Sequence, residues 1–168
     1  GAQSTASTLH AIRERINAPI ETLAKDHPDR VAYNKAHGLS RNLFFIRVLL
    51  ALGRGAIGGG RLKSEAYHAE RLSEQLDTSV KEFVTRTACF KVDRATNTVV
   101  VSPLFGWRQD AFIVMYGGNT AAWPGRSPLE VALLEMALPK LFPSERAVLR
   151  QNTFQLTYGT FDWHLNDL

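Results

Sequence analysis

The sequence predicts an α+β fold, with helices packed around a small antiparallel sheet. The chain has 168 residues, 45% of them hydrophobic and 21% charged. This is enough apolar material for one core but too little length for two ordinary domains. Several segments show helical periodicity, while only a few short segments alternate as strands do. The sequence contains no internal repeats and no low-complexity linkers.

Residues 1–34 are predicted to form a helical extension that precedes a single α+β domain at residues 35–168. The first eight residues are small and polar, which is typical of a frayed terminus. Apolar residues then recur at helical spacing despite Pro19, which predicts one broken helix. They are Leu9, Ile12, Ile16, Ile20 and Leu23.

The domain is predicted to start with a buried apolar segment. Residues 43–52 are apolar on every face apart from Arg47, so we expect burial whether they form a helix or a strand. Residues 53–60 follow with five glycines in eight positions, which suits positive φ or close approach of the backbone. Ser64 is then expected to cap an amphipathic helix. The apolar stripe of that helix is Leu72, Leu76, Val80 and Phe83.

The second half of the chain predicts a hairpin, two helices and a last strand. Residues 88–92 and 98–102 flank a five-residue loop, and Cys89 is interpreted as a small core hydrophobe in the first of these strands. Ser102-Pro103 and Ser127-Pro128 are helix-starting pairs, and they predict helices at 104–116 and 131–141. Residues 153–158 alternate as a half-buried strand.

Composition and charge narrow the classes of function. Lys and Arg outnumber Asp and Glu by 20 to 16, and the pI of 9.5 favours anionic partners. The two signs are interspersed, which argues against a nucleic-acid-binding stripe. No segment is long and apolar enough to span a membrane, so we expect a soluble chain, either cytoplasmic or secreted after removal of a leader. One cysteine and five unclustered histidines predict no metal site and no cofactor.

The glycine-rich segment is a candidate ligand-binding loop. Residues 53–58 match the dinucleotide fingerprint, but no helix follows directly, so a nucleotide cofactor is not predicted. We expect a phosphate or another small anion to be held by the amides of Gly58 and Gly59, with Arg54, Arg61 or Lys63 supplying positive charge. The alternative is a flexible surface connection.

Three residues are candidates for acid–base chemistry: His37, Asp110 and Asp162. His37 precedes Gly38 at a predicted turn, where its imidazole could face a cleft or bond the backbone. Trp107 lies three residues before Asp110, and Trp163 follows Asp162, so each pair sets a carboxylate beside an indole that could bind a ligand. The alternative is that each tryptophan packs in the core and each acid caps a helix or pairs with an arginine.

Five blocks of sequence, taken in order, resemble the family called domain of unknown function 547. The blocks lie in residues 37–41, 47–52, 65–77, 102–112 and 161–166, and the resemblance covers about residues 35–168. It implies an α+β fold distantly similar to cysteine peptidases. The family's loop carries cysteines, and a histidine precedes them; in register, this sequence has Arg54, Gly59, Gly60 and Leu49. The resemblance therefore implies a member without thiol chemistry.

We therefore predict a domain that binds a small anionic molecule or a protein partner. The glycine loop, His37, Asp110 and the Asp162–Trp163 pair are expected to lie near one cleft. The alternative is an enzyme in which His37 works with Asp110 or Asp162 on a small anionic substrate. A third interpretation is a structural module that forms homo-oligomers.

Overall fold

The computed structural model describes residues 2–15, 22–52 and 56–165 of the chain. The chain divides into two compact units, Gly1–Phe45 and Ile46–Leu168. The first unit contains helix α1, Ala2–Arg15, and the first part of helix α2, Pro28–Ala51. The predicted fraying of the first eight residues is wrong from Ala2 onward, because these small polar residues are tolerated in a helix. The predicted helix break near Pro19 falls in 16–21, outside the described residues.

Helix α2 settles the apolar segment at 43–52, which the sequence left open between helix and strand. Ile46 and Leu50 are buried at 1% and 0% exposure. Phe44 and Phe45 retain 45% and 48% exposure, so the expectation of complete burial is wrong for them. Residues four apart share one face of a helix, which explains why Ile46 and Leu50 are buried together while their neighbours point elsewhere.

The second unit contains a three-stranded sheet in the order β1-β2-β3. Strands β1, Phe90–Asp93, and β2, Thr98–Val101, form the predicted antiparallel hairpin. Strand β3, Gln155–Tyr158, pairs with β2 in parallel, so the sheet is mixed and its predicted antiparallel character holds for one of two pairings. A parallel neighbour requires a long crossover, and the helices between β2 and β3 supply it. The α+β class is confirmed.

Helix α3, Leu72–Thr85, starts later than predicted, after a 3₁₀ turn at Ala69–Arg71. Ser64 is not its cap. The Gln75 side chain accepts from the His68 N–H at 2.8 Å and donates to the Ala66 carbonyl at 3.1 Å. Because a side chain satisfies these backbone groups, the segment before α3 needs no helical hydrogen bonds. The predicted stripe is right for Leu76, Val80 and Phe83, which are buried, whereas Leu72 is half-buried.

The remaining helices follow the hairpin. They are α4, Leu104–Trp107; α5, Gln109–Tyr116; α6, Pro128–Ala137; and α7, Pro143–Gln151. The capping box of Ser127 and Glu130 at the start of α6 is confirmed. Helix α7 was not predicted, although Pro143 at its first position and a Glu145 carboxylate 3.0 Å from the Phe142 N–H are start signals that the sequence carries.

The core of the second unit lies between these helices and the hairpin. Helix α6 is its centre, since Val131, Ala132, Leu133 and Leu134 all have 0% exposure. Phe83 of α3, Phe105 of α4 and Phe112 of α5 pack edge to face, with ring centroids 5.7 and 5.4 Å apart. Among the helices that the structure describes, none has the length and hydrophobicity to cross a bilayer.

Candidate functional site

The described part of the glycine loop, residues 56–60, pairs with the C-terminal segment at residues 160–165. Ala56 and Leu165 form an antiparallel bridge. The Ile57 N–H donates to the His164 carbonyl at 3.0 Å, and the Gly58 N–H donates to the Asp162 carbonyl at 2.9 Å. A Cβ at Gly58 would lie 2.7 Å from the Asp162 nitrogen, so this contact requires glycine. The glycines therefore serve a close backbone approach.

Trp107, Phe161 and Trp163 form one cluster beside this pairing, called here the aromatic surface. The Phe161 ring lies 4.4 Å from Trp163 and 5.2 Å from Trp107, centroid to centroid. The two indoles are 6.2 Å apart and within 21° of parallel. Trp107 is nevertheless 42% exposed and Trp163 65% exposed. Large aromatic rings are thus held in mutual contact while much of their area faces water.

The expectation that each tryptophan packs in the core is wrong for Trp107 and Trp163. For Trp107, the reason is that the predicted single helix is interrupted at Arg108, whose backbone has φ −136° and ψ 40°. Trp107 ends α4 and Asp110 lies in the first turn of α5, so the two do not share one helical face. Asp110 is exposed.

Asp162 pairs with an imidazole, but the partner is His164. Asp162 Oδ1 accepts a hydrogen bond from the His164 backbone N–H at 3.0 Å and lies 2.7 Å from His164 Nδ1. The hydrogen bond from the His164 backbone, followed by the bond to its ring, holds the pKa of Asp162 below its usual value. The Asp162 side chain is 44% exposed and that of His164 is 89% exposed. This pair therefore works in water rather than in an enclosed site.

An open groove of about 550 Å³ adjoins the aromatic surface. It is lined by Thr160, Phe161, Asp162, Trp163 and His164. Because the groove is open and its lining residues are consecutive in the chain, a ligand bound there would remain partly in contact with water. Gly58, Trp107, Asp162 and Trp163, all predicted as site residues, are therefore brought together by the C-terminal segment.

Cys89 lies against the glycine loop. It precedes β1 in a turn, and its Sγ is 3.7 Å from the Gly59 carbonyl oxygen and 3.9 Å from that of Gly58. The thiol is 1% exposed, and this burial raises its pKa to about 11, although nearby Arg86 acts in the opposite direction. A thiol with so little thiolate at neutral pH is a poor nucleophile.

Arg86 anchors the loop from its other side. Its guanidinium donates to the Gly59 carbonyl at 2.9 Å and to the Ile57 carbonyl at 3.3 Å. Sequence reasoning missed Arg86 because it follows the end of α3 and carries no motif. Phe161 and His164 were missed as individual site residues, although the Asp-Trp-His spacing that places His164 beside Asp162 is visible in the sequence.

The loop does not offer its described amides to an anion as predicted. The N–H groups of Ile57, Gly58 and Gly59 donate to the carbonyls of His164, Asp162 and Ala56. These three donors are therefore already used within the chain. Arg54, the predicted source of positive charge, lies outside the described residues.

Arg61 lines a second cavity, of about 350 Å³, between residues 61–67 and helix α3. Charged groups of both signs surround it: Arg61, Lys63, Arg71, Glu65, Glu74 and Glu82. Lys63 pairs with Glu82, and Arg71 lies 3.4 Å from Glu65 and 4.0 Å from Glu74. Because these charges largely neutralise one another, the cavity has no marked preference for an anion.

His37 lies inside α2 and not at a turn, because Gly38 continues the helix. It is exposed, and its ring stacks on that of Tyr33 one turn earlier, with centroids 5.9 Å apart. His37 belongs to the first compact unit, whereas Asp110 and Asp162 belong to the second. Its participation in a shared cleft with these acids stays a prediction.

Within the described ranges, no group of three His, Cys, Asp or Glu side chains is arranged to hold a metal ion. Comparisons of the chain with protein-family models, with curated proteins and with solved structures returned no match. The resemblance to domain of unknown function 547 therefore stays a prediction, and the distant likeness to cysteine peptidases has no support from these comparisons.

Proposed function

We propose that this chain is a ligand-binding domain without thiol chemistry, and that the aromatic surface of Trp107, Phe161 and Trp163 is its binding surface. The observation that carries the proposal is the exposure of two tryptophans in one cluster. Scattered apolar side chains on a surface are ordinary, whereas a contiguous exposed aromatic patch is characteristic of recognition sites. Tryptophan is also the residue type most enriched among those that dominate binding energy.

Preorganisation supports the same proposal. The bridge between Ala56 and Leu165 and the hydrogen bonds from Ile57 and Gly58 hold the segment that carries Phe161 and Trp163. The conformational entropy of these rings is therefore lost when the chain folds. A ligand that stacks on them binds without that entropic cost. An exposed aromatic pair on an untethered tail would lack this advantage.

The ligand class favoured by these contacts is a small molecule. A groove of about 550 Å³ suits a small ligand, and its lining combines apolar rings with the polar groups of Asp162 and His164. Binding of a protein partner and formation of homo-oligomers through the aromatic surface are the rival uses of the same residues. Both would need an interface well beyond this groove, since stable interfaces bury roughly 800 Å² on each partner.

The proposal is tested by screening a small-molecule library while following the three indole N–H signals by NMR. Trp123 is the internal reference, because it is 4% exposed and its Nε1–H donates to Glu135 at 2.5 Å. True ligands are expected to shift the signals of Trp107 and Trp163 and to leave Trp123 unchanged, and Trp163→Ala should abolish the response. Ligands that bind without moving either signal would show that the binding surface lies elsewhere.

Acid–base catalysis is a second candidate function, favoured by the 2.7 Å contact between Asp162 Oδ1 and His164 Nδ1. A carboxylate that orients an imidazole is the arrangement of a general base. The openness of this pair to water weighs against it. If this pair is catalytic, an activity found for the native chain should be lost in Asp162→Asn and in His164→Gln. Activity retained in both variants would rule out catalysis by this pair.

A further inference from the structure

The aromatic surface has an electrostatic preference of its own. The face of an indole carries the negative part of the ring quadrupole, and tryptophan attracts cations more strongly than tyrosine or phenylalanine does. Phe161 packs against Trp163 at 4.4 Å, yet Trp163 keeps 65% exposure. The outer side of this indole is therefore open to a ligand.

The spacing of the rings decides how a ligand can sit. A molecule held between two ring faces needs about 7 Å between them, twice a normal contact distance. The centroid separations of 4.4, 5.2 and 6.2 Å are all shorter than this. A ligand must therefore rest on the outside of the cluster, in the open groove, rather than inside a closed aromatic cage.

A carboxylate lies beside the rings. Asp162 accepts from His164 through Oδ1, and its side chain remains 44% exposed. No lysine or arginine is among the described residues that line the groove. A carboxylate next to an exposed indole is thus a local reversal of sign on a chain whose formal net charge is +4.

We infer that the aromatic surface binds a small organic cation, of the alkylammonium class, by placing it on the exposed face of Trp163 with Asp162 as the counter-charge. This inference rests on the proposed function and specifies the ligand. It departs from the anionic ligand expected from the overall charge and the glycine loop. The ammonium would contact ring faces and carboxylate together, and its methyl groups would cover the apolar area of the cluster.

Choline and its neutral analogue dimethylbutanol, in which carbon replaces nitrogen, form a matched pair of probes. They share shape and apolar area and differ in charge. Each is titrated into the full chain at constant ionic strength, because exposed charge interactions are screened by salt. The indole N–H signals of Trp107 and Trp163 report binding, and that of Trp123 is the reference. Choline is expected to bind about two- to fivefold more tightly than dimethylbutanol, the gain typical of an exposed cation–π contact.

Two variants test the contributions of the Trp163 indole and of the Asp162 carboxylate separately. Trp163→Leu keeps an apolar side chain without a ring face, and should weaken choline binding severalfold while changing dimethylbutanol binding little. Asp162→Asn should likewise weaken choline alone. Asp26→Asn removes one exposed carboxylate from the first unit and controls for the change of net charge. Unchanged circular dichroism is required of each variant, and both mutated site residues are exposed enough for the fold to tolerate them.

The outcomes distinguish this inference from the proposed function. Tighter choline binding that is lost in both variants supports the inference. Equal shifts of Trp163 by choline and dimethylbutanol would overturn the cation preference while leaving the aromatic surface as a binding site. If neither probe moves Trp163 at tens of millimolar, the cation inference fails, and the library screen then decides the proposed function independently.

Discussion

At the scale of single residues, Cys89 shows how position changes chemistry. The thiol touches the carbonyls of Gly58 and Gly59, but it is 1% exposed and its pKa is raised to about 11 by burial. A nucleophilic cysteine needs the opposite environment, in which positive charge or a helix N-terminus favours the thiolate. Cys89 therefore packs as a small apolar side chain beneath the glycine loop.

Native Cys89 should resist alkylation by iodoacetamide at neutral pH. Low accessibility and low thiolate content both slow the reaction, since the sulfur is buried and almost entirely protonated. Mass spectrometry of the treated native chain should show less than a few per cent of labelled protein over an hour, with complete labelling once the chain is denatured in urea. Rapid stoichiometric labelling of the native chain would contradict the burial of this thiol.

At the scale of elements, the glycine loop and the C-terminal segment depend on close approach at Gly58. A Cβ there would lie 2.7 Å from the Asp162 nitrogen and 3.0 Å from its carbonyl oxygen. Neither atom belongs to a flexible side-chain end, so the backbone itself would have to move. The aromatic surface is built on the same segment, and its arrangement is thereby tied to one glycine.

Gly58→Ala is expected to lower the free energy of unfolding by about 1–3 kcal/mol, the usual cost of overpacking. It should also shift the fluorescence of the exposed tryptophans. Gly38→Ala is the matched control, because Gly38 lies inside α2 with no atom within 4 Å of the added Cβ. That change should stabilise the chain by up to about 1 kcal/mol. Urea unfolding measures both; a Gly58→Ala variant as stable as the parent would contradict the close approach.

The elements also show what local sequence can predict. The stripe of α3, the hairpin and the capping box of α6 depend on residues near in sequence, and all three were predicted. The start of α3 was missed because Gln75 satisfies backbone groups from a distance. The break at Arg108 was missed although Gly106, a poor helix former two residues earlier, weakens the helix at this point. Parallel pairing of β3 with β2 was missed because it joins segments more than 50 residues apart.

The candidate site was predicted only in part, because the sequence shows the types of residues but not the contacts between distant segments. Trp107, Trp163 and Gly58 were predicted to bind a ligand and Asp162 to carry acid–base chemistry, and the four lie together. The exposure of Trp107 and Trp163 was not predicted, since hydrophobic periodicity assigns large aromatic side chains to the core. His37, a distant residue, was predicted to work with Asp162, although the observed partner, His164, lies two positions away.

At the scale of the whole molecule, burial is concentrated in the second compact unit. Six residues of α6 are buried, including five at 0% exposure. Among the α1 side chains that the structure describes, Ile12 alone is buried. Local opening is expected to follow this contrast, since amides in densely packed elements exchange only when the unit unfolds.

Hydrogen exchange should therefore be slowest in α6 and much faster in α1. Mass spectrometry of exchanged peptides is expected to show α6 protected by a factor near that of global unfolding, with α1 exchanged at least about a hundredfold sooner. The 56–60 loop should show intermediate protection, because its amides bond the C-terminal segment. Equal protection of α1 and α6 would mean that the first unit is as firmly packed as the second.

The aromatic surface is the central claim, and intermolecular nuclear Overhauser effects test it most directly. With tetramethylammonium present in excess, its methyl protons are expected to give cross-peaks to the ring protons of Trp163 and Trp107 and none to those of Trp123. These contacts would place the cation on the exposed indoles. Cross-peaks to Tyr67 of the second cavity, without any to Trp163 or Trp107, would contradict the account.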